Sequence, residues 1–162
     1  MNNEYRVGIG YDIHRLKKGR PLMLGGVRIP FEKGLDGHSD ADVLLHAVTD
    51  ALLGAAALPD IGHYFPPGDP LTKNIASGQM LSKALHEVEK QGCSVANVDC
   101  VVIAEAPKLL PHRAAIRAAI SRLLKIDVGN VQVKGKTNEG LDAVGRGEAI
   151  ASQAVVLLKT VR

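Results

Sequence analysis

The last strand predicted for this chain constrains its fold most, because its residues are apolar on both faces. In an extended backbone, successive side chains point to opposite sides. Over residues 149–158 the two sides are formed by Ile150, Ala154, Val156 and Leu158 and by Ala149, Ala151, Val155 and Leu157. Such a strand needs cover on both faces. The helices predicted below can cover only one side of a small sheet, so we predict that another copy covers the other side and that the protein is a homo-oligomer.

Shorter patterns predict the other strands and the helices. Apolar and smaller or polar residues alternate over residues 5–11, which predicts a first strand, and Gly25-Gly26 between two apolar triplets predicts a hairpin. Ser39-Asp40-Ala41-Asp42 resembles a capping box, opening a helix that Pro59 ends. Further helices are predicted over residues 77–91 and from Pro107 to residue 124, and further strands over residues 95–104 and 131–134. Residues 59–76 and 135–147 are predicted loops, of which the second is rich in glycine.

Bulk properties exclude several classes of protein. The 162 residues fit one domain over 1–162, and 46% hydrophobic with 23% charged residues is enough for a packed core. A formal net charge of +3 is too small to indicate nucleic acid as the partner. No apolar run has the length of a membrane span, and residues 1–6 lack the apolar core of a signal peptide. We therefore expect no membrane and place the protein in the cytoplasm or, after processing, in an organelle.

The cysteine count does not indicate the disulfide framework of a small secreted protein. Cys93 and Cys100 are the two cysteines of the chain, and their spacing matches no common zinc motif. Two reduced thiols at or near a strand are the favoured interpretation, with a disulfide between them as the alternative.

Three side chains form the main candidate site. Asp12 and His14 lie two residues apart, so an extended backbone points both to one side. His46 lies in the middle of a predicted helix. Taken alone, the first pair is common on surfaces and the histidine is more often a half-buried core residue. Together they make a three-ligand set with a fourth position open, as in a catalytic zinc site, although carboxylate and imidazole also suit manganese or iron.

Two further segments offer groups for a phosphorylated ligand. His38 begins the His38–Asp42 segment, where a helix N-terminus attracts phosphate and His38 adds a donor; a plain helix cap is the alternative. The long loop after the helix carries Asp60, whose carboxylate could accept hydrogen bonds from sugar hydroxyls or could serve only as a turn residue. The same loop contains Ile61, Gly62, Phe65 and Asp69.

Two loops in the second half of the chain carry the remaining candidates. Between a strand and a helix, the backbone of residues 104–110 can recognise the edge of a flat ring. Lys108 can meet a phosphate, and a solvated surface lysine is the alternative. In the glycine-rich loop, Thr137 can donate to a phosphoryl oxygen and Glu139 can hold a hard cation. An ordinary surface turn is the alternative for this loop.

The ordered motifs resemble the 2-C-methyl-D-erythritol 2,4-cyclodiphosphate synthase family of the non-mevalonate isoprenoid pathway. The resemblance runs from about residue 5 to residue 160. It rests on Gly10-Tyr11-Asp12-Ile13-His14, Gly25-Gly26-Val27-Arg28-Ile29-Pro30, Gly37-His38-Ser39-Asp40-Ala41-Asp42-Val43, residues 46–54, Asp60-Ile61-Gly62, Ala106-Pro107-Lys108 and Gly145-Arg146-Gly147-Glu148.

The resemblance implies a fold, an assembly and a reaction. The fold is α+β, and three subunits turn their sheets to a central axis with active sites between neighbours. The substrate is a cytidine diphosphate conjugate of methylerythritol 2-phosphate, and the products are a cyclic diphosphate and CMP. In some family members the axis holds an isoprenoid diphosphate near Arg146 and Glu148. The compartment is the bacterial cytoplasm, or the plastid stroma for an organellar member.

The resemblance also implies residue roles. Zn²⁺ is bound by Asp12, His14 and His46, and a Mg²⁺ or Mn²⁺ by Glu139, while His38 and Thr137 stabilise the transition state. Asp60 binds the ribose, and the cytosine pocket comprises Ala104, Ala106, Pro107, Lys108, Leu109 and Leu110. Further substrate contacts are implied for Ser39, Ile61, Gly62, Phe65, Asp69, Lys136, Asn138 and Arg146. Gly140, Ala143 and Pro67 depart from residues common in the family and affect the pocket rather than the metal site.

Two other functions are compatible with the candidate residues. A metal-dependent phosphohydrolase would use a zinc-bound hydroxide, but the adjacent His-Asp pair of one such class is missing, since Ser39 follows His38 and Ala47 follows His46. A non-catalytic trimer that binds isoprenoid diphosphates would not need His46. Water uptake into the product tests the first alternative, and replacement of His46 tests the second.

Overall fold

The computed structural model describes residues 4–160, which form two β-sheets and five α-helices. In chain order the strands are β1 (Tyr5–Lys18), β2 (Leu22–Leu24), β3 (Val27–Ile29), β4 (Lys33–Leu35), β5 (Cys93–Ile103), β6 (Val131–Lys136) and β7 (Ala149–Thr160). The helices are α1 (Val43–Ala55), α2 (Ile61–Tyr64), α3 (Ser77–Lys90), α4 (Arg113–Leu124) and α5 (Asp142–Gly145). Short 3-10 turns lie at Pro70–Thr72, Leu110–His112 and Val128–Asn130.

A five-stranded mixed sheet organises the molecule, in the order β4-β1-β7-β5-β6. The β5–β6 pair is parallel and the other neighbours are antiparallel, while β2 and β3 form a separate hairpin. Helix α1 packs on β1 and β7, α3 packs on α1, and α4 contacts α3 and β6. The prediction of an α+β fold with a small mixed sheet is confirmed.

Two glycines on β1 let helix α1 pack so closely on the sheet that the two backbones touch. A Cβ on Gly8 would lie 2.1 Å from the carbonyl oxygen of Ala51, and one on Gly10 would lie 1.9 Å from that of Ala47. Neither position has room for a side chain, so helix and strand are in direct backbone contact. This contact places His46, one residue before Ala47, above the strand that carries Asp12 and His14.

The opposite face of the sheet is apolar and uncovered in the isolated chain. Its exposed side chains are Tyr5, Val7, Ile9, Tyr11 and Ile13 on β1 and Val155 on β7. Ile9 is the most exposed of them, at 73%. The predicted alternation in β1 is confirmed, but its apolar residues face away from the core and its glycines face the helices.

Helix α1 begins later than the capping-box prediction places it. Ala41 has a φ of 56°, which interrupts the helical backbone, and the N-cap is Asp42 rather than Ser39. The Ser39 hydroxyl instead accepts from the amide of Ala41, and the Asp40 carboxylate accepts from that of Asp42. The capping-box prediction is therefore wrong in its first residue, because two local side-chain turns compete with the helix.

The buried carboxylate of Asp42 joins this helix to the β2–β3 hairpin. Its oxygens accept from the amides of Gly25 at 2.9 Å, Gly26 at 2.7 Å and Leu45 at 3.0 Å. Burial raises the pKa of Asp42, and the three backbone hydrogen bonds oppose that shift. The Asp42 carboxylate already accepts from the amide of Leu45 in the first turn of α1. That amide is not available to a phosphate, so the expectation of a phosphate at this helix N-terminus lacks support.

Other predicted boundaries differ by a few residues. The first strand continues to Lys18, because β1 pairs with β7 up to Arg15 and with β4 beyond it. The third helix begins at Arg113 after a 3-10 turn, not at Pro107. The predicted loops contain the helices α2 and α5. Each has only four residues, which is too short for hydrophobic periodicity to reveal it.

The structure of residues 4–160 bears on the expectations about membrane spans and about the two cysteines. None of the helices in this part of the chain combines the length and apolar character needed to cross a membrane. Cys93 and Cys100 are free and buried, and burial raises the pKa of the Cys100 thiol to about 12. The disulfide alternative is therefore wrong.

Candidate metal centre and adjoining pockets

Asp12, His14 and His46 converge where α1 crosses β1. The Oδ2 atom of Asp12 lies 2.9 Å from Nδ1 of His46 and 3.1 Å from Nδ1 of His14. The two imidazole rings have centroids 5.2 Å apart, and one ligand atom from each of the three residues lies within 4.8 Å of the others. The structure therefore brings together the three side chains that the sequence predicted as a ligand set.

The electrostatics of this cluster suit a cation. Burial acts to raise the pKa of Asp12, but interactions with the His14 and His46 rings outweigh it and hold that pKa well below its usual range. The buried Nδ1 of His14 lies 3.1 Å from the Asp12 carboxylate but forms no well-aligned hydrogen bond within residues 4–160. A Cβ on Gly37 would lie 3.2 Å from Nε2 of His14, so glycine leaves room around this ring. One carboxylate and two imidazoles fit a zinc site with a fourth position open for substrate.

A cavity of about 250 Å³ opens onto the cluster. Besides the three candidate ligands, its lining includes the predicted residues His38, Ser39, Ile61, Gly62 and Phe65. Ser39 Oγ lies 3.3 Å from Nε2 of His46, and His38 is anchored by its carbonyl oxygen, which accepts from the amide of Asn74 at 2.8 Å. The first half of the predicted site thus surrounds one cavity.

Asp60 and Asp69 lie in the loop beside this cavity but do not line it. Asp60 is the N-cap of α2, and its Oδ1 accepts from the amide of His63 at 3.1 Å. The carbonyl oxygen of Asp69 accepts from the amide and the hydroxyl of Thr72, both at 3.0 Å. The turn interpretation of Asp60 matches these contacts.

A second cavity, of about 340 Å³, lies between the strand–helix crossing and the end of β6. Among its lining are the predicted residues Ala104, Pro107, Lys108, Leu109, Leu110, Lys136 and Thr137. Ala106 precedes Pro107 through a cis peptide bond. The two cavities share no lining residue. One chain therefore holds the two halves of the predicted site in separate pockets.

The loop that carries Thr137, Asn138 and Glu139 is exposed and held by local contacts. The Thr137 hydroxyl donates to Oε1 of Glu139 at 3.2 Å and accepts from the amide of Glu139 at 3.3 Å. Glu139 has a φ of 52°, and the Asn138 side chain donates to the carbonyl oxygen of Leu141 at 3.0 Å. Within residues 4–160 Glu139 belongs to no cluster of three potential metal ligands, so a cation here needs ligands from substrate or water.

Arg146 lies away from both cavities, in a shallow basic pocket with Arg15 and Lys33. Its guanidinium makes a two-point ion pair with Glu148, at 2.9 and 3.1 Å. The pair is exposed, so its contribution to stability is small. These contacts make Arg146 an ion-pair partner of Glu148, and in the isolated chain Arg146 lines neither candidate cavity.

Sequence reasoning missed four residues beside the site. Asp50 lines the first cavity four residues after His46, a helical spacing that could have revealed it. Its carboxylate accepts from the amide of Ile61 at 2.8 Å, and burial raises its pKa. Ser77 and Asp40 contact the far side of His46 through a chain of hydrogen bonds. Glu105 accepts from the amide of Asn138 at 2.7 Å and so joins the two loops of the second cavity.

Comparison with known proteins shows the class that this fold and site define. The YgbB family matches residues 5–159. A 2-C-methyl-D-erythritol 2,4-cyclodiphosphate synthase from Synechococcus sp. (strain JA-2-3B'a(2-13)) is 58% identical over 153 residues, covering 94% of this chain and 98% of the relative. The chain belongs to the YgbB family.

Solved structures agree with this assignment. The bifunctional IspDF of Campylobacter jejuni superposes with a TM-score of 0.95 at 40% identity, over 98% of this chain and 43% of that longer chain. The CDP complex of IspF from Plasmodium falciparum superposes with a TM-score of 0.86 at 37% identity, over 100% of both chains. The mixed fold is therefore shared by enzymes of this kind.

Proposed function

We propose that the protein converts 4-diphosphocytidyl-2-C-methyl-D-erythritol 2-phosphate into 2-C-methyl-D-erythritol 2,4-cyclodiphosphate and CMP. The observation that carries this function is the Asp12–His14–His46 cluster at a cavity, in a chain 58% identical to an enzyme named for that reaction. The reaction belongs to the non-mevalonate route to isoprenoid precursors, and the protein is a phosphorus–oxygen lyase.

In this reaction the substrate supplies its own nucleophile, so the protein has to position the phosphates and neutralise their charge. An oxygen of the substrate's own 2-phosphate forms a bond to the β-phosphorus, and the bond between that phosphorus and the oxygen bridging to the α-phosphate breaks. The bridging oxygen leaves with its electron pair on CMP, so no water is consumed. Enzymes accelerate phosphoryl transfer of this kind by alignment and by neutralising charge.

We assign the cluster to Zn²⁺, held by Asp12, His14 and His46. When bound, such an ion acts as a Lewis acid on a phosphoryl oxygen and fixes its orientation. His38 lines the same cavity and offers a ring N–H to the reacting phosphates. Ser39, Ile61, Gly62 and Phe65 form the wall that keeps water from the methylerythritol portion. Asp60 and Asp69 approach the ligand from the adjoining loop.

The second cavity is proposed to bind the cytidine portion. Backbone groups of Ala104, Ala106 and Pro107 can recognise the cytosine edge, and the side chains of Leu109 and Leu110 offer apolar contact to the ring. Lys108 and Lys136 supply positive charge to the diphosphate. The CDP complex of the similar Plasmodium falciparum protein supports a cytidine nucleotide as ligand.

The glycine-rich loop completes the diphosphate site. The Thr137 hydroxyl can donate a hydrogen bond to the β-phosphate once its hydrogen bond to Glu139 is broken. The amide of Asn138 donates to Glu105 and so fixes the position of the loop. Glu139 is proposed to hold a Mg²⁺ or Mn²⁺ together with phosphate oxygens, because such ions bind through one or two carboxylates and the substrate.

We further propose a homotrimer with active sites between subunits. The bare apolar face of β1 and β7 needs cover, and the two candidate cavities of one chain share no lining residue. Association through the sheet faces would let one subunit's metal cluster meet the neighbour's cytidine pocket. Arg146 would then lie at the mouth of the axial cavity, where an isoprenoid diphosphate is a candidate ligand.

Two broader assignments follow from the family match. The match over residues 5–159 supports a single domain spanning 1–162. Relatives from bacteria such as Synechococcus support the bacterial cytoplasm as the compartment, or the plastid stroma for an organellar protein.

The decisive experiment measures CMP release from the purified protein with and without a chelator. We expect turnover that the chelator abolishes and that added Zn²⁺ with Mg²⁺ restores. Mass spectrometry of the product distinguishes cyclisation, which adds no water, from hydrolysis, which adds one. A hydrated linear product would contradict the proposed function and favour a phosphohydrolase.

A further inference from the structure

The two ring nitrogens of His46 have different partners. Nδ1 faces Asp12 Oδ2 at 2.9 Å, inside the candidate metal cluster. Nε2 lies on the opposite edge of the ring, 2.9 Å from the hydroxyl oxygen of Ser77. Ser77 is the first residue of α3 and is completely buried, 31 positions from His46 along the chain. Its hydroxyl is therefore shielded from bulk water and finds its partners among neighbouring side chains.

Asp40 lies directly behind Ser77 and acts as an acceptor on both carboxylate oxygens. Its Oδ2 accepts from the amide of Ser77 at 3.1 Å, and its Oδ1 accepts from the amide of Asp42 at 3.2 Å. Backbone amides can only donate, so each of these contacts uses a carboxylate lone pair. The Ser77 hydroxyl is also in close contact with Oδ1 of Asp40. An acceptor-only partner requires that this hydroxyl donate its proton to Asp40.

This donation sets the direction of the next hydrogen bond. With its proton directed at Asp40, the Ser77 oxygen presents lone pairs to His46, so Nε2 must be the protonated ring nitrogen. The neutral ring then has a lone pair on Nδ1, which faces an oxygen of the Asp12 carboxylate. Two lone pairs at 2.9 Å repel each other unless a positive centre lies between them, which is a proton in the metal-free protein and a metal ion in the loaded one. The network thus prepares Nδ1 as a metal ligand.

We propose that Ser77 and Asp40 are positioning residues of the metal centre, which hold His46 in the tautomer that coordinates through Nδ1. Metal-binding histidines commonly donate their second ring N–H to an acceptor that fixes the ring, and here a buried serine backed by a carboxylate fills that place. The proposal rests on the proposed metal centre, and it assigns residues outside the ligand set. Ser39 is a weaker partner of the same nitrogen, at 3.3 Å, and its oxygen also accepts from the amide of Ala41.

The test measures zinc affinity by competition with a chromophoric chelator, so that it does not depend on turnover. Loss of such a supporting contact typically lowers metal affinity roughly 10- to 100-fold, and we expect this for Ser77→Ala. Asp40→Asn keeps the size of the side chain but adds an amide donor, which can reverse the Ser77 hydroxyl and shift the His46 proton to Nδ1. We expect a similar loss of affinity for that variant.

Ser82→Ala is the matched control, because Ser82 lies on the same helix and its exposed hydroxyl donates only to the carbonyl oxygen of Gly78. It should bind zinc as the wild type does. Ser77→Thr keeps the hydroxyl and should regain part of the affinity that Ser77→Ala loses. Circular dichroism of each variant shows that the fold is intact.

Long-range ¹H–¹⁵N correlation spectra of the zinc-loaded wild type test the proposal without any variant. We expect the His46 proton on Nε2, and a proton on Nδ1 would overturn the proposal. Zinc binding as tight in Asp40→Asn and Ser77→Ala as in the wild type would also overturn it, while leaving the metal centre in place. A wild-type protein that binds no zinc would instead overturn the metal centre on which the proposed function depends.

Discussion

The two faces of β1 contrast in both chemistry and surroundings. On the helix side, Gly8 and Gly10 touch the backbone of α1, and Asp12 and His14 follow in the same row. On the other side, a row of large apolar side chains from Tyr5 to Ile13 is exposed in the isolated chain. In most half-buried strands the apolar row faces the core. Here small and functional residues take that place.

The contrast shows how one strand serves two purposes. Glycines on the helix side reduce the distance between strand and helix, which lets side chains from both share one ion. The apolar side chains then remain exposed in the isolated chain, and we propose that other subunits cover them. The candidate metal site and the proposed subunit interface therefore lie on opposite faces of the same strand, formed by alternate residues. The following variants test this division.

The largest effect is expected from His46→Ala, on the helix side. Loss of one of three ligands should remove several kcal/mol of transition-state stabilisation, or roughly a 10³-fold fall in CMP release. The oligomer should persist, because the opposite face is unchanged. Sedimentation and CMP assays check both outcomes, with His86→Ala on the exposed side of α3 as the control. Wild-type CMP release from His46→Ala would contradict the assignment of His46 to the catalytic site.

The next largest effect is expected from Ile9→Asp, on the apolar side. Burial of an isoleucine contributes about 1.5–3 kcal/mol, and three copies of a new carboxylate near one axis would repel each other. We expect the proposed trimer to dissociate and CMP release to be lost, with zinc still bound by each subunit. Sedimentation velocity and the zinc competition assay measure this. Val128→Asp, at an exposed apolar residue outside the sheet, should leave the assembly unchanged. An intact trimer in Ile9→Asp would show that this face is not the interface.

Gly10→Ala tests the close approach between strand and helix. The added Cβ would lie 1.9 Å from the carbonyl oxygen of Ala47, so α1 must move outward and carry His46 with it. Overpacking of this kind costs about 1–3 kcal/mol, and we expect a lower Tm together with weaker zinc binding. Gly54→Ala on α1 meets no atom within 4 Å, so it should raise stability by about 0.5–1 kcal/mol. Equal Tm values for the wild type and Gly10→Ala would refute the close-packing argument.

Glu105→Ala should give the smallest effect, since it acts beyond the end of the sheet and touches neither face. The amide of Asn138 would lose its acceptor, at a cost of about 1–3 kcal/mol if it stays buried. Looser contact between the two loops should raise KM about 10-fold for the cytidine substrate, with zinc affinity unchanged. Glu105→Gln keeps an acceptor oxygen and should behave like the wild type. Steady-state kinetics decide, and a loss of kcat without a change in KM would argue against a binding role.

Much of the fold and of the metal cluster was predictable from sequence. Alternation in β1, the Gly25-Gly26 hairpin and the helical spacing after His46 are local signals, because side-chain period and turn chemistry depend on neighbouring residues. Asp12 and His14 share a side for the same reason. Residue chemistry grouped them with His46 as a three-ligand set, and the resemblance to a known family implied the same set, but no local pattern shows that the three side chains meet. The start of α1 was misplaced because Ser39 and Asp40 make turns of their own.

By itself, the sequence determined the type of each long element and the chemistry of the three ligands. Only the tertiary structure decided that the apolar row of β1 faces outward, that Gly10 meets the backbone of α1, and that Ser77 and Asp40 support His46 from another helix and turn. These features depend on how closely backbones approach across 31 or more residues of chain. Sequence periodicity shows which side chains lie on the same face of a strand or helix, and tertiary packing determines what that face contacts.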